Sequence, residues 1–340
     1  MKALVTPLRI VAGLVVALVV AMVILLKISS GYYLFVPDVA HPVAPLVSVH
    51  GGKPRPDADG RLYFVDVHEI QASEFDILFQ WLHPHSTKVP AARLLPPGTN
   101  NTQYFQAARR EMAISQQIAG AVAEKELGYP VVTRNNGVLV DIVYGDVPAA
   151  SKIDSADIIT AANGKPTTTI ADLHDAVKSL EPGDIVKLTI RRGSSTVHED
   201  VKTVADPHNK QRALIGVQVE QSMEIHLPIK VSIDSENIGG PSAGLAFTLE
   251  LMRQLGRDVT HGYKIAATGQ IHLDGSVTAI GGVEQKVWGV RDAGAQVFLV
   301  PVDGGNAKEA KKYAGPDLTI IPVTSVDQAL HALAHLPKLR

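Results

Sequence analysis

An apolar run from Ile229 to Ile233 leads through a polar loop, Asp234 to Asn237, into two glycines, a proline and a serine. Beyond them Leu245, Leu249 and Met252 repeat at helical spacing, with Ala246 and Phe247 beside them. That order of extended segment, glycine turn and helix predicts a sharp reversal at Gly240 and a helix from near Ser242 that buries one face. The Ser242 hydroxyl then stands beside the free N–H groups of a helix start, where developing negative charge can be held. Taken alone, the segment is explained at least as well by a serine that caps a helix.

Gly240 to Gly244 also fits G-x-S-x-G, the nucleophile turn of α/β-hydrolases. That fold needs an acid and then a histidine downstream on a large parallel sheet, and fewer than 100 residues follow Ser242. They supply only His261, His272, His331 and His335, the last two on an amphipathic terminal helix, so this pattern is the weaker explanation.

A second stretch, Thr268 to Val287, changes the balance. Ile271 and Leu273, then Val277 and Ile280, bracket Asp274-Gly275, which predicts a hairpin with a two-residue turn. Gly281-Gly282 opens another helix, on which Val283, Val287 and Val290 form an apolar stripe that includes Lys286. Such a lysine either snorkels its ammonium to water or loses its charge and serves as a base to a serine.

Together the two stretches resemble the proteolytic domain of Lon proteases, through G-P-S-A-G at Ser242, T-G-Q-I at Thr268 and A-I-G-G-V-E-Q-K at Lys286. The resemblance implies an α/β (α+β) domain with Ser242 as nucleophile, Lys286 as base and Thr268 as a hydroxyl that hydrogen-bonds the lysine. Gly240 and Ala243 would support the serine loop. Two departures stand out: Gly239 and Gln270 occupy positions where ATP-dependent Lon has acidic residues.

The 340 residues carry a net charge of -2, 46% hydrophobic and 19% charged side chains, and no cysteine. This composition suits two globular domains and offers no basic, aromatic-interleaved nucleic-acid surface. Disulfides, thiol nucleophiles and cysteine-based metal sites are excluded. His83 and His85 flank Pro84, a spacing read as a solvated turn rather than a metal pair; no metal and no cofactor are expected. The sequence contains no G-x-x-x-x-G-K-[S/T].

From Ile10 to Leu26 every residue is apolar or glycine, with Lys2 and Arg9 before and Lys27 after. The run is long enough for a spanning helix, longer than the usual core of a signal peptide, and not closely followed by a small-residue cleavage site. An uncleaved anchor at 10–28 is expected, with residues 1–9 as a cytoplasmic tail, the bulk of the chain outside the cytoplasm, and Tyr32, Tyr33 and Phe35 as an interfacial belt. Residues 37–56 are expected to be an extended linker. Residues 57–128, with a strand at Leu62 to Val67 and a helix from Thr102 to Leu127, have too little core to stand alone.

Between 130 and 206, G-V-L-V, D-I-I-T-A-A-N-G-K and P-G-D-I-V-K-L-T-I-R-R-G resemble a bacterial PDZ domain, with Ser155-Ala156-Asp157 where a Gly-Asp pair is usual. Such mostly-β modules accept an extended peptide, often a chain end, as an added strand beside a helix. The helix carrying Leu173, His174 and Val177 is the candidate wall. The order of segments resembles membrane-anchored PDZ-Lon proteases, with 57–128 and 210–340 forming one catalytic domain that the PDZ module interrupts. Polypeptide substrates, a PDZ-bound peptide and a ring of identical subunits follow from that resemblance. A catalytically silent PDZ adaptor is the rival, and labelling by a serine-reactive probe separates the two.

Overall fold

The computed structural model describes residues 7–51, 60–95, 99–235 and 238–337. Residues 1–6 of the expected tail, 52–56 of the expected linker, 57–59, Asn237 of the serine loop and 338–340 lie outside them. Helix α1, Pro7–Lys27, leads the described chain; its Arg9–Lys27 stretch has a mean hydropathy of 2.9 and no fully buried residue. By length and composition it can cross a bilayer.

Next come β1 (Ser29–Pro37), β2 (Arg61–Phe64), β3 (Val67–Ser73), α2 (Glu74–Leu78), β4 (Thr87–Pro90) and the long helix α3 (Asn101–Glu126). Strand β1 is the centre of a three-stranded antiparallel sheet with β3 and β4 on either side. Asn100 caps α3 reciprocally: its side chain accepts from the Gln103 amide, and the Gln103 side chain accepts from the Asn100 amide.

An antiparallel module follows: β5 (Val132–Val143), β6 (Ile158–Ala162), α4 (Ile170–Val177), β7 (Ile185–Arg192), β8 (Ser195–Lys202) and β9 (Val217–His226). The strand order is β8-β7-β6-β5-β9, and α4 packs against β5, β6 and β9. The module extends beyond the boundary expected at 206. Ala213 and Ile215 sit in its core, and β9 pairs along its whole length with β5, because the alternating side chains of 213–219 complete the apolar face. The remaining elements are α5 (Gly244–Gln254), β10 (Lys264–Ala267), α6 (Val283–Asp292), β11 (Val297–Pro301), α7 (Asn306–Tyr313), β12 (Thr319–Val323) and α8 (Val326–Ala334).

Strands β2, β10, β11 and β12 run parallel in one sheet, edged by an antiparallel His41–Pro42 pair. Side-chain alternation divides this sheet's residues between two cores. Leu62, Phe64, Ile265, Ala267, Val297 and Leu299 face α3, α5 and α8, whereas Tyr63, Val65, Ala266, Phe298 and Val300 face α6 and α7. The segment carrying β2 and α3 thus shares its core with elements that follow residue 240.

Several expectations are corrected by this packing. The stretch 37–51 is no free linker, since Val43, Val47 and Val49 enter the first core and Val47–Val49 pairs with Val231–Ile233. Helix α5 is buried on every side rather than one. Its polar residues find internal partners, with Arg253 donating to Glu250 at 3.3 Å and to the Gly60 carbonyl at 2.9 Å, and Gln254 to the Val47 carbonyl at 3.2 Å. The hairpin turn spans His272 to Ser276, closed by a 3.0 Å bond from the His272 amide to the Ser276 carbonyl, rather than two residues. The aromatic belt does not form as expected: Tyr33 is buried, Phe35 half-buried, and Tyr32 lies under Lys88 at 4.8 Å. Alternation along β1 turns neighbouring rings to opposite faces.

Candidate active site

The serine loop is held from both sides before any chemistry is considered. Gly240 takes φ of +83°, a conformation costly to a residue with a Cβ, and its amide donates to the Ala108 carbonyl of α3 at 2.7 Å. Ser115, also on α3, donates from its hydroxyl to the Pro241 carbonyl at 3.2 Å. From the other side the Gly269 amide and the Thr268 hydroxyl both donate to the Ser242 carbonyl, at 2.8 and 3.1 Å. A single 3-10 turn, Pro241–Ala243, then feeds α5, so Ser242 is half-exposed at a helix entrance while Ala243 is buried.

Lys286 arrives from the opposite face of the sheet. Gly282, with φ of +66°, turns the chain into α6 at a point where a Cβ would meet Val67 Cγ2 at 2.5 Å, so only glycine fits. Val283, Val287 and Val290 pack into the second core, and Lys286, 3% exposed, is carried inward with them. Its Nζ lies 2.6 Å from Ser242 Oγ and 3.3 Å from Thr268 Oγ1. Since the Thr268 hydroxyl spends its proton on the Ser242 carbonyl, its oxygen is free to accept from the lysine.

Burial pushes the Lys286 ammonium down to about 8, and the carboxylates of Asp66 and Glu69 pull it the other way. The position in the first turn of α6 works with burial, because a helix N-terminus disfavours a cation. Asp66 and Glu69 are themselves pushed up by burial. Glu69 accepts from the Tyr104 hydroxyl at 3.0 Å.

Ser242 and Lys286 open into a cleft of about 710 Å³. Its walls bring together Phe35 of β1, Glu69 of β3, Tyr104 and Glu111 of α3, and Asp141 and Gln218 of the antiparallel module. Phe105 is 41% exposed, because the first turns of α3 border this opening. Glu111 is pushed up to about 7 by burial and by the neighbouring carboxylates of Glu220 and Asp141. The Glu111, Asp141 and Glu220 oxygens lie within 4.8 Å of one another, as do ligand-type atoms of Asp38, His41 and Asp66. Spacing alone would let either trio hold a cation; neither includes Ser242 or Lys286.

The structure therefore brings Ser242, Lys286 and Thr268 to one point and sets Gly240 and Ala243 on either side of the serine turn. His83 and His85 part company: His83 pairs with Asp76 at 3.2 Å, and His85 stacks on Trp288 of α6 at 3.6 Å between ring centroids. His85 is the exposed turn residue expected, with one ring face on Trp288, whereas His83 is half-buried. In the antiparallel module Leu173 and Val177 belong to the core, leaving His174 exposed on α4. Asp66, Glu69, Ser115 and Ala108 carry no signal in the sequence, since the residues they serve lie over a hundred positions away.

Comparison with known proteins agrees with this architecture. Residues 181–335 match the model of the Lon protease (S16) C-terminal proteolytic domain, and residues 126–203 match that of the PDZ domain. The two matches overlap at 181–203, where β7 and β8 pair within the antiparallel sheet, which places those strands in the PDZ module. The chain is 25% identical to Lon protease 1 of Bacillus subtilis (strain 168) over 229 residues, 66% of this chain and 29% of that protein. It is 33% identical to the Lon protease of Chloroflexus aggregans (strain MD-66 / DSM 9485) over 144 residues, 41% of this chain and 17% of that protein. Among solved structures, the PDZ domain of an SdrC-like protein from Listeria monocytogenes is 30% identical, with a TM-score of 0.23 and coverage of 25% of this chain and 87% of that one. This is a chain with a Lon-type proteolytic domain and a PDZ domain. It spans less than a third of the length of the Bacillus relative.

Proposed function

We propose that the chain is a membrane-anchored serine endopeptidase that cleaves peptide bonds without ATP, with Ser242 as nucleophile and Lys286 as its base. The observation that carries this reading is the 2.6 Å contact between a half-exposed serine hydroxyl and a buried lysine whose pKa is held at about 8. At pH 7 a lysine of that pKa is neutral in about one molecule in ten, against about one in 2,500 for a free side chain. The neutral amine accepts the Ser242 proton as Oγ attacks the scissile carbonyl, and the resulting ammonium returns that proton to the leaving amine. The developing oxyanion falls to the backbone N–H groups of Ser242 and Ala243, because the Gly240 amide is committed to the Ala108 carbonyl and Pro241 has none, and Thr268 keeps the amine aimed at the serine. Water then hydrolyses the ester, using the lysine a second time.

Two further features support the rest of the reading. Strand β9 is the edge of the PDZ-type sheet and lies beside α4, the position at which an extended peptide adds as a strand. Helix α1 suits a single-pass anchor, and Lys2 and Arg9 before its apolar run against Lys27 after that run orient the catalytic body outside the cytoplasm.

The test is to incubate the purified chain with denatured polypeptides, without nucleotide, and to sequence the new ends. New termini that are absent with Ser242→Ala are expected. Equal cleavage by that variant, or none by the parent, would refute the assignment.

A further inference from the structure

Among the described residues, exposed apolar side chains outside α1 are densest at the end of α2 and just beyond it. Leu78, the last residue of α2, is 64% exposed, and Trp81 and Leu82 just beyond it are 74% and 48% exposed. A soluble surface rarely presents a tryptophan and two leucines together unless something covers them.

The place of this turn says what covers it. The amide of Glu74, the first residue of α2, donates to the Ile28 carbonyl at 2.9 Å, immediately beyond α1. Helix α1 lies against α2 at that end, and Leu25 is half-buried there while its neighbours on α1 are exposed. The patch is thus locked to the point at which α1 would leave a bilayer. Exposed Lys27 ends α1 just before that junction, and exposed Lys88 and Arg93 lie on and shortly after β4, the strand that follows the patch in the chain; such cations meet lipid headgroups. Its own acids are occupied or set back: Asp76 is taken by Ser73 and His83, and Glu74 is half-buried. Tyr32 and Tyr33, nearest to α1 in sequence, are turned elsewhere, so Trp81 is the indole available at this level.

We propose that Leu78, Trp81 and Leu82 rest in the headgroup region of the bilayer that α1 spans, giving the catalytic body a second lipid contact. The proposal rests on the anchoring reading of α1. Its consequence is orientation. The patch continues into the 83–87 loop, where His85 stacks on Trp288 and the Gln285 side chain donates to the His85 carbonyl at 2.9 Å. The helix that carries Lys286 is thereby fixed relative to the membrane plane, instead of swinging on a single tether.

Trp81 and Trp288 are the two tryptophans of the chain, so the full-length Trp288→Phe variant reports on Trp81 alone. It is reconstituted into phosphatidylcholine and phosphatidylglycerol vesicles containing lipids brominated either near the headgroup end of the acyl chain or near the bilayer centre. The expected result is loss of about half of the Trp81 emission with the shallow bromines and a smaller loss with the deep ones, as for an interfacial indole. Should Trp288→Phe not fold, the same quenchable component is obtained as the difference between the parent and Trp81→Phe. Vesicles that float with the chain while Trp81 stays unquenched overturn the proposal and leave the anchor standing. A chain that fails to float refutes the anchor itself. Trp81 shielded from acrylamide, unquenched by bromolipid and cross-linkable between chains shows a second copy on the patch, which also overturns it.

Discussion

At the residue scale the account turns on a lysine kept where it is costly. Its pKa falls from 10.5 to about 8, which corresponds to about 3 kcal/mol of destabilisation whenever the unfolded chain carries the charge. The unfolded state binds the extra proton between those two values, so the penalty is complete below about pH 8 and fades as pH rises toward 10.5. Replacing Lys286 by methionine should therefore abolish cleavage yet raise unfolding free energy at pH 7 by about 3 kcal/mol, with the gain shrinking at pH 10; denaturant titrations at the two pH values check this. The acids of the cleft act on the same group. Asp66 raises the Lys286 pKa, so Asp66→Asn should let it fall further and move the acidic limb of the pH–rate profile downward. A limb that stays fixed, or moves upward, would show that Asp66 does not sense the lysine.

At the scale of elements, the sequence displayed the turn-helix pieces and hid how they are enclosed. G-P-S-A-G and the Val283, Val287, Val290 stripe could be read because each is local, a glycine turn in one case and a helical period in the other. The all-round burial of α5 could not, since Glu250, Arg253 and Gln254 look like a solvent face until their partners at residues 47 and 60 are brought in from far away. Capping was half legible at α8: Ser325 accepts from the Gln328 amide as its spacing suggests, but the Gln328 side chain accepts from the Thr324 amide at 2.7 Å instead. The missing glycine before Asp157 has a structural answer. Ala156 adopts φ of +74°, the left-handed conformation a glycine would take freely, while Asp157 is buried against Arg192 at 2.7 Å. Ala156→Gly should then stabilise the chain by about 1 kcal/mol, the usual cost of a Cβ in that region. A lower melting temperature for the variant would mean that the alanine methyl contributes more than its strain removes.

At the scale of the whole molecule, the PDZ-type module leaves and re-enters the chain at one place. Val132 pairs with His226 and Thr133 with Ile225, so the ends of the module are neighbours across one ladder. Residues before and after it share the first core, which the sequence only hinted at through the poverty of apolar residues in 57–128. We infer that the module guides substrates without taking part in chemistry, although Asp141 and Gln218 reach the cleft wall. Replacing residues 132–226 by a short Gly/Ser linker should preserve hydrolysis of small unstructured peptides while weakening that of longer chains. A folded variant that no longer reacts with serine probes at all would contradict this division of labour.

The most direct measurement of the central claim is the pH dependence of labelling by a serine-reactive phosphonate, with the modified residue located by peptide mapping. The account predicts a single adduct on Ser242 whose rate of formation rises through an apparent pKa of about 8 as Lys286 becomes neutral. It also predicts that Lys286→Arg, which keeps the charge and cannot deprotonate, forms no adduct across the same range. An adduct on another residue, or labelling of Lys286→Arg at the parental rate, would contradict it.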